Sequence, residues 1–422
     1  MESGPVIRKG FQLKKQVLPV LQQDYASALI DWFRAHDFEA QVGQTRIVLA
    51  REFGFCYGVD RAIQYAYETR ARFPDRRVFL TGEIIHNPFV NRRLQESGIE
   101  FLPRTPDGRK DYSVVQPGDV VILPAFGVPV EEMEALQARG CIVVDTTCGS
   151  VMNVWKSVRQ YARDGFTSVI HGKYWHEETR ATASQALAAG GAYLIVLNRP
   201  EALQVADFIR HGGDPAVFLR VFAQAVSPGF DPTVHLARIG LANQTTMLMN
   251  ESLEIQEILR QAMIDRYGVD RLAEHFRAFD TICSATQDRQ DAVLALLQRD
   301  DIDLMIVIGG FNSSNTGSLL HLCQQKVPSF HIEGVQDLIS ADRIRHKPYM
   351  QAPVYTDGWL PSGPLTIGLT AGASTPNSVV AEVVLRLLEL RGEPWPDAPW
   401  TEDLRTIFQA SADRQLGRWA DG

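Results

Sequence analysis

Nowhere in the 422 residues does an apolar run approach the roughly 20 residues that a membrane-spanning helix needs. Runs such as Leu304-Met305-Ile306-Val307-Ile308 are far too short. The opening Met1-Glu2-Ser3-Gly4-Pro5 lacks the apolar core of a signal peptide, and its early acidic residue is unlike a transit peptide. Basic excess is missing too. Lys and Arg number 42 against 50 Asp and Glu, a net charge of -8, which argues against nucleic acid as the main partner. A phosphorylated small molecule stays open, since it needs only local donors. Cysteine is sparse: five, odd in number and widely spaced, so no disulfide framework is expected. A cytoplasmic protein is the expectation, and there cysteines act as metal ligands, as catalysts or as buried thiols.

What remains is a soluble-type composition, 45% hydrophobic and 22% charged, over a length that suggests two or three domains. One arrangement recurs three times. A short apolar strand runs to a cysteine and a helix follows: Thr45 to Phe55 before Cys56, Cys141 to Asp145 before Cys148, and Phe279 before Cys283. Each copy then has a second strand ending in a polar loop. These loops hold Glu83-Ile84-Ile85-His86-Asn87-Pro88, His171-Gly172-Lys173-Tyr174-Trp175-His176-Glu177-Glu178-Thr179 and Asn312-Ser313-Ser314-Asn315. Cys56 to His86, Cys148 to His176 and Cys283 to Asn312 span 30, 28 and 29 residues. Third strands lead to Ala125-Phe126-Gly127, to Asn243-Gln244-Thr245-Thr246 and to Thr370-Ala371-Gly372-Ala373-Ser374. Strands alternating with helices predict parallel sheets with ligands beyond the strands' carboxyl ends. The reading is an α/β protein of three pseudo-repeated domains, 46–140, 141–278 and 279–390. A leader, 1–45, carries a helix over Asp24 to Ala35, and a tail, 391–422, holds Pro394, Trp395, Pro396, Pro399, Trp400 and Trp419.

Cys141 and Cys323 read as buried thiols. Cys56, Cys148 and Cys283 share one place in the repeat, before a helix whose N-terminus favours thiolate. Three such thiolates suit zinc or an iron–sulfur cluster, and spacing alone does not choose. On a four-iron cluster they would leave one iron free for an oxygen ligand. His86, His176 and the Asn-Ser-Ser-Asn run hold matched places, and their donors suit a phosphate or diphosphate. Glu178 is the expected acid, whereas Glu177 reads as a first-turn helix carboxylate. His171 and Lys173 are expected to help balance charge.

In their order, these motifs resemble the LytB/IspH family of 4-hydroxy-3-methylbut-2-enyl diphosphate reductases, in its cyanobacterial and plant branch, from about Arg51 to Pro376. The resemblance implies a trefoil of three α/β domains around a central cavity. Cys56, Cys148 and Cys283 would ligate a 4Fe–4S cluster whose fourth iron takes the substrate hydroxyl. His86, His176, Ser313, Ser314, Asn315 and Ser374 would hold the diphosphate. Glu178 would deliver protons, with Thr245 relaying or orienting, and ferredoxin or a similar carrier would bring electrons. The implied products are isopentenyl and dimethylallyl diphosphate, in the last step of the methylerythritol phosphate pathway. Two positions depart from the pattern. Phe126 stands where many bacterial members have histidine, so that loop is given no phosphate role, and Gly149 replaces an expected proline. The rival readings are a dehydratase with a similar three-cysteine cluster, as in quinolinate synthase, and a zinc-binding structural or regulatory protein.

Overall fold

The computed structural model describes residues 4–279, 282–393 and 400. Three parallel sheets carry the fold, and each has the same four-strand core order. In the first, Ile142–Asp145, Val120–Leu123, Val78–Leu80 and Glu100–Phe101 lie side by side. The second runs Phe276–Ala278, Ile239–Asn243, Thr167–His171, Tyr193–Val196, and the third Thr45–Leu49, Leu365–Ala371, Leu304–Ile308, Ser329–Ile332. These strands are mostly apolar and buried, as suits a parallel sheet with helices over both faces. Val120, Val121, Ile122 and Leu123 are all 0% exposed, each such burial contributing roughly 1.5–3 kcal/mol.

The matching orders show where the sequence boundaries and the sheets part. Thr45–Leu49, expected in the first domain, pairs with Leu365–Ala371. Ile142–Asp145 pairs with Val120–Leu123, and Phe276–Ala278 with Ile239–Asn243. The strand that leads to each cysteine therefore completes the sheet of another repeat, so the sheets are offset by one strand from the expected boundaries near 46, 141 and 279. A repeat read along the chain does not mark which of its strands comes first. Strand pairing does. The first of these strands also ends at Leu49, short of the expected Phe55.

The chain divides into two compact units. One takes residues up to Lys14, Tyr57–Ile85 and Leu94–Gln287 and holds the first two sheets. The other takes Lys15–Cys56, His86–Arg93 and the described residues from Asp288 on, and holds the third. The leader also contributes strands. Its Val6–Ile7 extends the edge of the first sheet, and Glu39–Val42 pairs antiparallel with Thr45–Leu49 at the edge of the third. The single helix expected over Asp24 to Ala35 is two, Lys14–Tyr25 and Ala28–Ala35. Ser27 divides them because its hydroxyl caps the second helix by accepting from Ile30 N–H. Of the expected tail, Arg391, Gly392, Glu393 and Trp400 lie among the described residues; Pro394, Trp395, Pro396, Pro399 and Trp419 lie outside them. Trp400 is buried against Trp32 and Phe33, ring centroids 5.5 and 5.6 Å away. Among the described residues no helix is long and apolar enough to cross a membrane.

Candidate active site

The five cysteines fall into two groups. Cys141 and Cys323 are 0% exposed, and burial pushes their thiols up to about 11 and about 12. That fits the reading as small buried hydrophobes. Cys56, Cys148 and Cys283 are half-buried, each immediately before a helix: Tyr57–Arg72, Gly149–Arg163 and Ser284–Leu297.

Two of these three lie in the unit of the first two sheets. Cys148 is the N-cap of its helix, and its backbone N–H donates to Ala125 O at 2.8 Å. Thr147, just before it, is fixed to Asp145 Oδ1 through its N–H (3.1 Å) and its hydroxyl (2.5 Å). Cys283 occupies the matching place: its carbonyl accepts from Thr286 and Gln287 N–H at 2.9 and 3.1 Å. Ser150, in the first turn after Cys148, donates from Oγ to Cys283 Sγ at 3.3 Å. Cys148 and Cys283 are thus brought to one helix start.

The same unit holds the expected acid. Helix Glu177–Ala188 packs on Gly149–Arg163 where Ala181 meets Val151 and Trp155, with Cys148 against that cluster. One turn before Ala181, Glu178 is 3% exposed. Its two carboxyl oxygens accept from one residue, Thr245, at 2.6 Å from N–H and 2.9 Å from the hydroxyl. Thr245 thus holds the carboxyl group at both of its oxygens. His176 caps the helix, its Nδ1 accepting from Glu178 N–H at 3.2 Å. In the neutral ring that bond leaves the proton on Nε2, a donor suited to a phosphate oxygen. Phe126 lies edge-on to the His176 ring, centroids 6.4 Å apart, an apolar neighbour rather than a phosphate donor.

His171 does not fill the charge-balancing role expected of it. It is the last residue of a central strand and is 0% exposed. Burial lowers it to about 4, so the ring is neutral near pH 7, with Nδ1 bonded to Ser252 Oγ at 2.8 Å. Lys173 is tied in through its backbone, donating to Gln244 Oε1 at 3.0 Å.

The other unit assembles Cys56, His86 and the Ser–Asn loop around Ala373 and Ser374. Cys56 N–H donates to Ala373 O at 3.2 Å. Asn315 Oδ1 accepts from Ala373 N–H at 2.8 Å, and Ser374 Oγ donates to His86 O at 3.2 Å. Ser313 caps helix Ser314–Gln324, accepting from Thr316 N–H. Ser314 and Asn315, in the first turn, are 4% and 3% exposed. The Asn315 amide nitrogen is buried with no acceptor among the described residues. An unused donor at the positive end of a helix suits an anion. Gly310 has to be glycine here, because a Cβ would stand 2.3 Å from the His86 carbonyl oxygen.

Two arginines escaped the sequence reading. Arg289, 4% exposed, donates to Gly54 O through Nε at 3.2 Å and Nη2 at 2.6 Å, two residues before Cys56. Arg61 donates to Thr147 O at 2.6 Å, one residue before Cys148. The available signal was positional: they stand five and six residues after Cys56 and Cys283, on the helices that follow.

The family described as LytB protein matches residues 47–388. The 4-hydroxy-3-methylbut-2-enyl diphosphate reductase of Thermosynechococcus vestitus is 52% identical over 385 residues, covering 91% of this chain and 94% of its own. The enzyme of the same name from Gloeobacter violaceus is 49% identical over 397 residues, covering 93% and 94%. Among solved structures, the E-1-hydroxy-2-methyl-but-2-enyl-4-diphosphate reductase of Plasmodium falciparum matches with a TM-score of 0.57 at 22% identity, covering 81% of this chain and 87% of that one. The fold is shared with it.

Proposed function

The chain belongs to the LytB family, and from that premise we propose that it reduces 4-hydroxy-3-methylbut-2-enyl diphosphate to isopentenyl and dimethylallyl diphosphate. The C–O bond of the hydroxyl breaks, a C–H bond forms, and two electrons and two protons are taken up as water leaves. This is the last step of the methylerythritol phosphate pathway. Iron–sulfur chemistry goes with the family, and the donor set fits it: three half-buried cysteines before helices, apart from two that burial keeps protonated. Cys56, Cys148 and Cys283 are the proposed ligands of a 4Fe–4S cluster with one iron free of protein ligands. When bound, that group supplies the electrons and a Lewis-acidic position for the substrate oxygen. Ferredoxin or a similar low-potential carrier is the proposed donor.

The protein's own residues bind, orient and protonate. Ser313, Ser314, Asn315 and Ser374, with His86 and His176, offer hydroxyl, amide and imidazole donors to the diphosphate. The N-terminus of Ser314–Gln324 adds its dipole. The observation that carries the reading is Glu178. It is a buried carboxyl group fixed at both oxygens by Thr245, in the unit that also holds Cys148 and Cys283. Such a group delivers protons from one defined direction while burial limits the water that competes with it.

Anaerobic incubation of the substrate with a dithionite-reduced dye tests the reaction, and a colourless protein holding zinc and no sulfide would end it. Glu178→Gln tests the proton path. Its amide can keep both Thr245 contacts, oxygen to the N–H and nitrogen to the hydroxyl. Turnover should fall by about 10²–10⁴-fold, with iron content and substrate binding retained. Normal turnover would remove Glu178 from the path.

A further inference from the structure

Ser150 does not belong to the set of expected site residues, yet its hydroxyl lies 3.3 Å from Cys283 Sγ. The two residues are 133 apart in sequence and meet within one compact unit. Ser150 sits in the first turn of Gly149–Arg163, two residues after Cys148. It is half-buried, as Cys283 is. A serine at such a position commonly faces water, whereas this one is directed at a sulfur. Its O–H is the donor, because a thiolate can only accept.

We propose that Ser150 is a positioning residue that sets the electron affinity of the centre held by Cys283. The inference rests on the cluster reading above. Reduction adds negative charge that spreads onto the ligand sulfurs. A hydroxyl donor to one sulfur stabilises the reduced state more than the oxidised one, so it raises the reduction potential. The bond also fixes the side chain of Cys283 against the helix start that presents Cys148, so two ligands share one support. Neither effect needs Ser150 to touch substrate.

The experiment uses the full chain, purified anaerobically, with iron and acid-labile sulfide measured before anything else. The midpoint potential is then titrated with dithionite and followed by electron paramagnetic resonance in the parent, Ser150→Ala and Ser150→Thr. Ser150→Ala should keep its iron and move the midpoint to a more negative value, and Ser150→Thr, which keeps the hydroxyl, should return most of it. An unmoved midpoint in Ser150→Ala with full iron overturns the inference and leaves the cluster reading standing. Equal displacement in both variants also overturns it, assigning the change to a disturbed helix start. A parent protein with no iron or sulfide would instead remove the cluster reading itself.

Discussion

Cys141 and Cys148 are seven residues apart and meet opposite conditions. Cys141 stands just before strand Ile142–Asp145, 0% exposed, with Sγ 3.2 Å from Leu136 O, and its thiol is pushed up to about 11. Cys148 lies past the other end of that strand, half-buried, at the start of a helix. The strand is a short ruler between two environments. One withholds water and keeps the thiol neutral. The other presents a helix N-terminus, where negative charge is favoured. Cys323 and Cys283 repeat the contrast. The chemistry of a cysteine here follows its place relative to an element rather than its neighbours in sequence.

The sharpest way to break that contrast is one substitution applied to both groups. Cys148→Ser should abolish iron binding and turnover while the helix survives, because serine is a good N-cap residue. Cys323→Ser should do the reverse. It puts a hydroxyl into a fully buried site, costing about 1–3 kcal/mol of stability, with iron content unchanged. Iron analysis and urea denaturation on the two variants give the crossed result. Equal iron in both would sink the ligand assignment.

The burial that raises thiols lowers imidazoles, and this gives the next effect in size. Burial lowers both His171, at the end of a central strand in one unit, and His331, in a strand of the other, to about 4. The unfolded chain titrates near pH 6.5, so between about pH 6.5 and 4 it binds protons that the folded state refuses. The stability these residues hold is fully present above pH 6.5 and is lost as pH falls toward 4. The loss is on the order of 2 kcal/mol per histidine by pH 5. Urea midpoints at pH 7 and pH 5 measure it, with His171→Gln and His331→Gln as controls whose slopes should be shallower. Slopes as steep as the parent's in both controls would assign the acid sensitivity elsewhere.

The legible part of the sequence was its recurrence. A strand, a cysteine, a helix and a polar loop at nearly constant spacing pointed to three sheets and to Cys56, Cys148 and Cys283. The fourth strands, Glu100–Phe101, Tyr193–Val196 and Ser329–Ile332, were missed because two to four residues carry little periodicity. Strand membership was offset because pairing between distant segments leaves no mark along the chain. Arg61 and Arg289 were illegible for another reason. An arginine that holds a carbonyl looks like any exposed helix arginine until the fold brings its partner to it. His171 was misjudged because a histidine in a polar motif was read as exposed to charge, when the strand had already buried it.

The smallest effect concerns Gly149, which lies beside Cys148 and replaces an expected proline. Nothing in its geometry demands glycine. It is the first residue of helix Gly149–Arg163, is absent from the positive-φ positions, and a Cβ there would meet nothing within 4 Å. Cys148 before it has φ -62° and ψ 144°, the extended backbone that a following proline requires. Proline at the first helical position gives up an N–H that the helix does not use. Gly149→Pro should therefore raise stability by about 0.4–1 kcal/mol, through a less flexible unfolded chain, with iron content and midpoint potential unchanged. The urea midpoint measures the gain. A loss of iron instead would mean that the loop must flex to seat its metal. Cys148 would then sit in a hinge, and the contrast with Cys141 would be one of mobility as well as of burial.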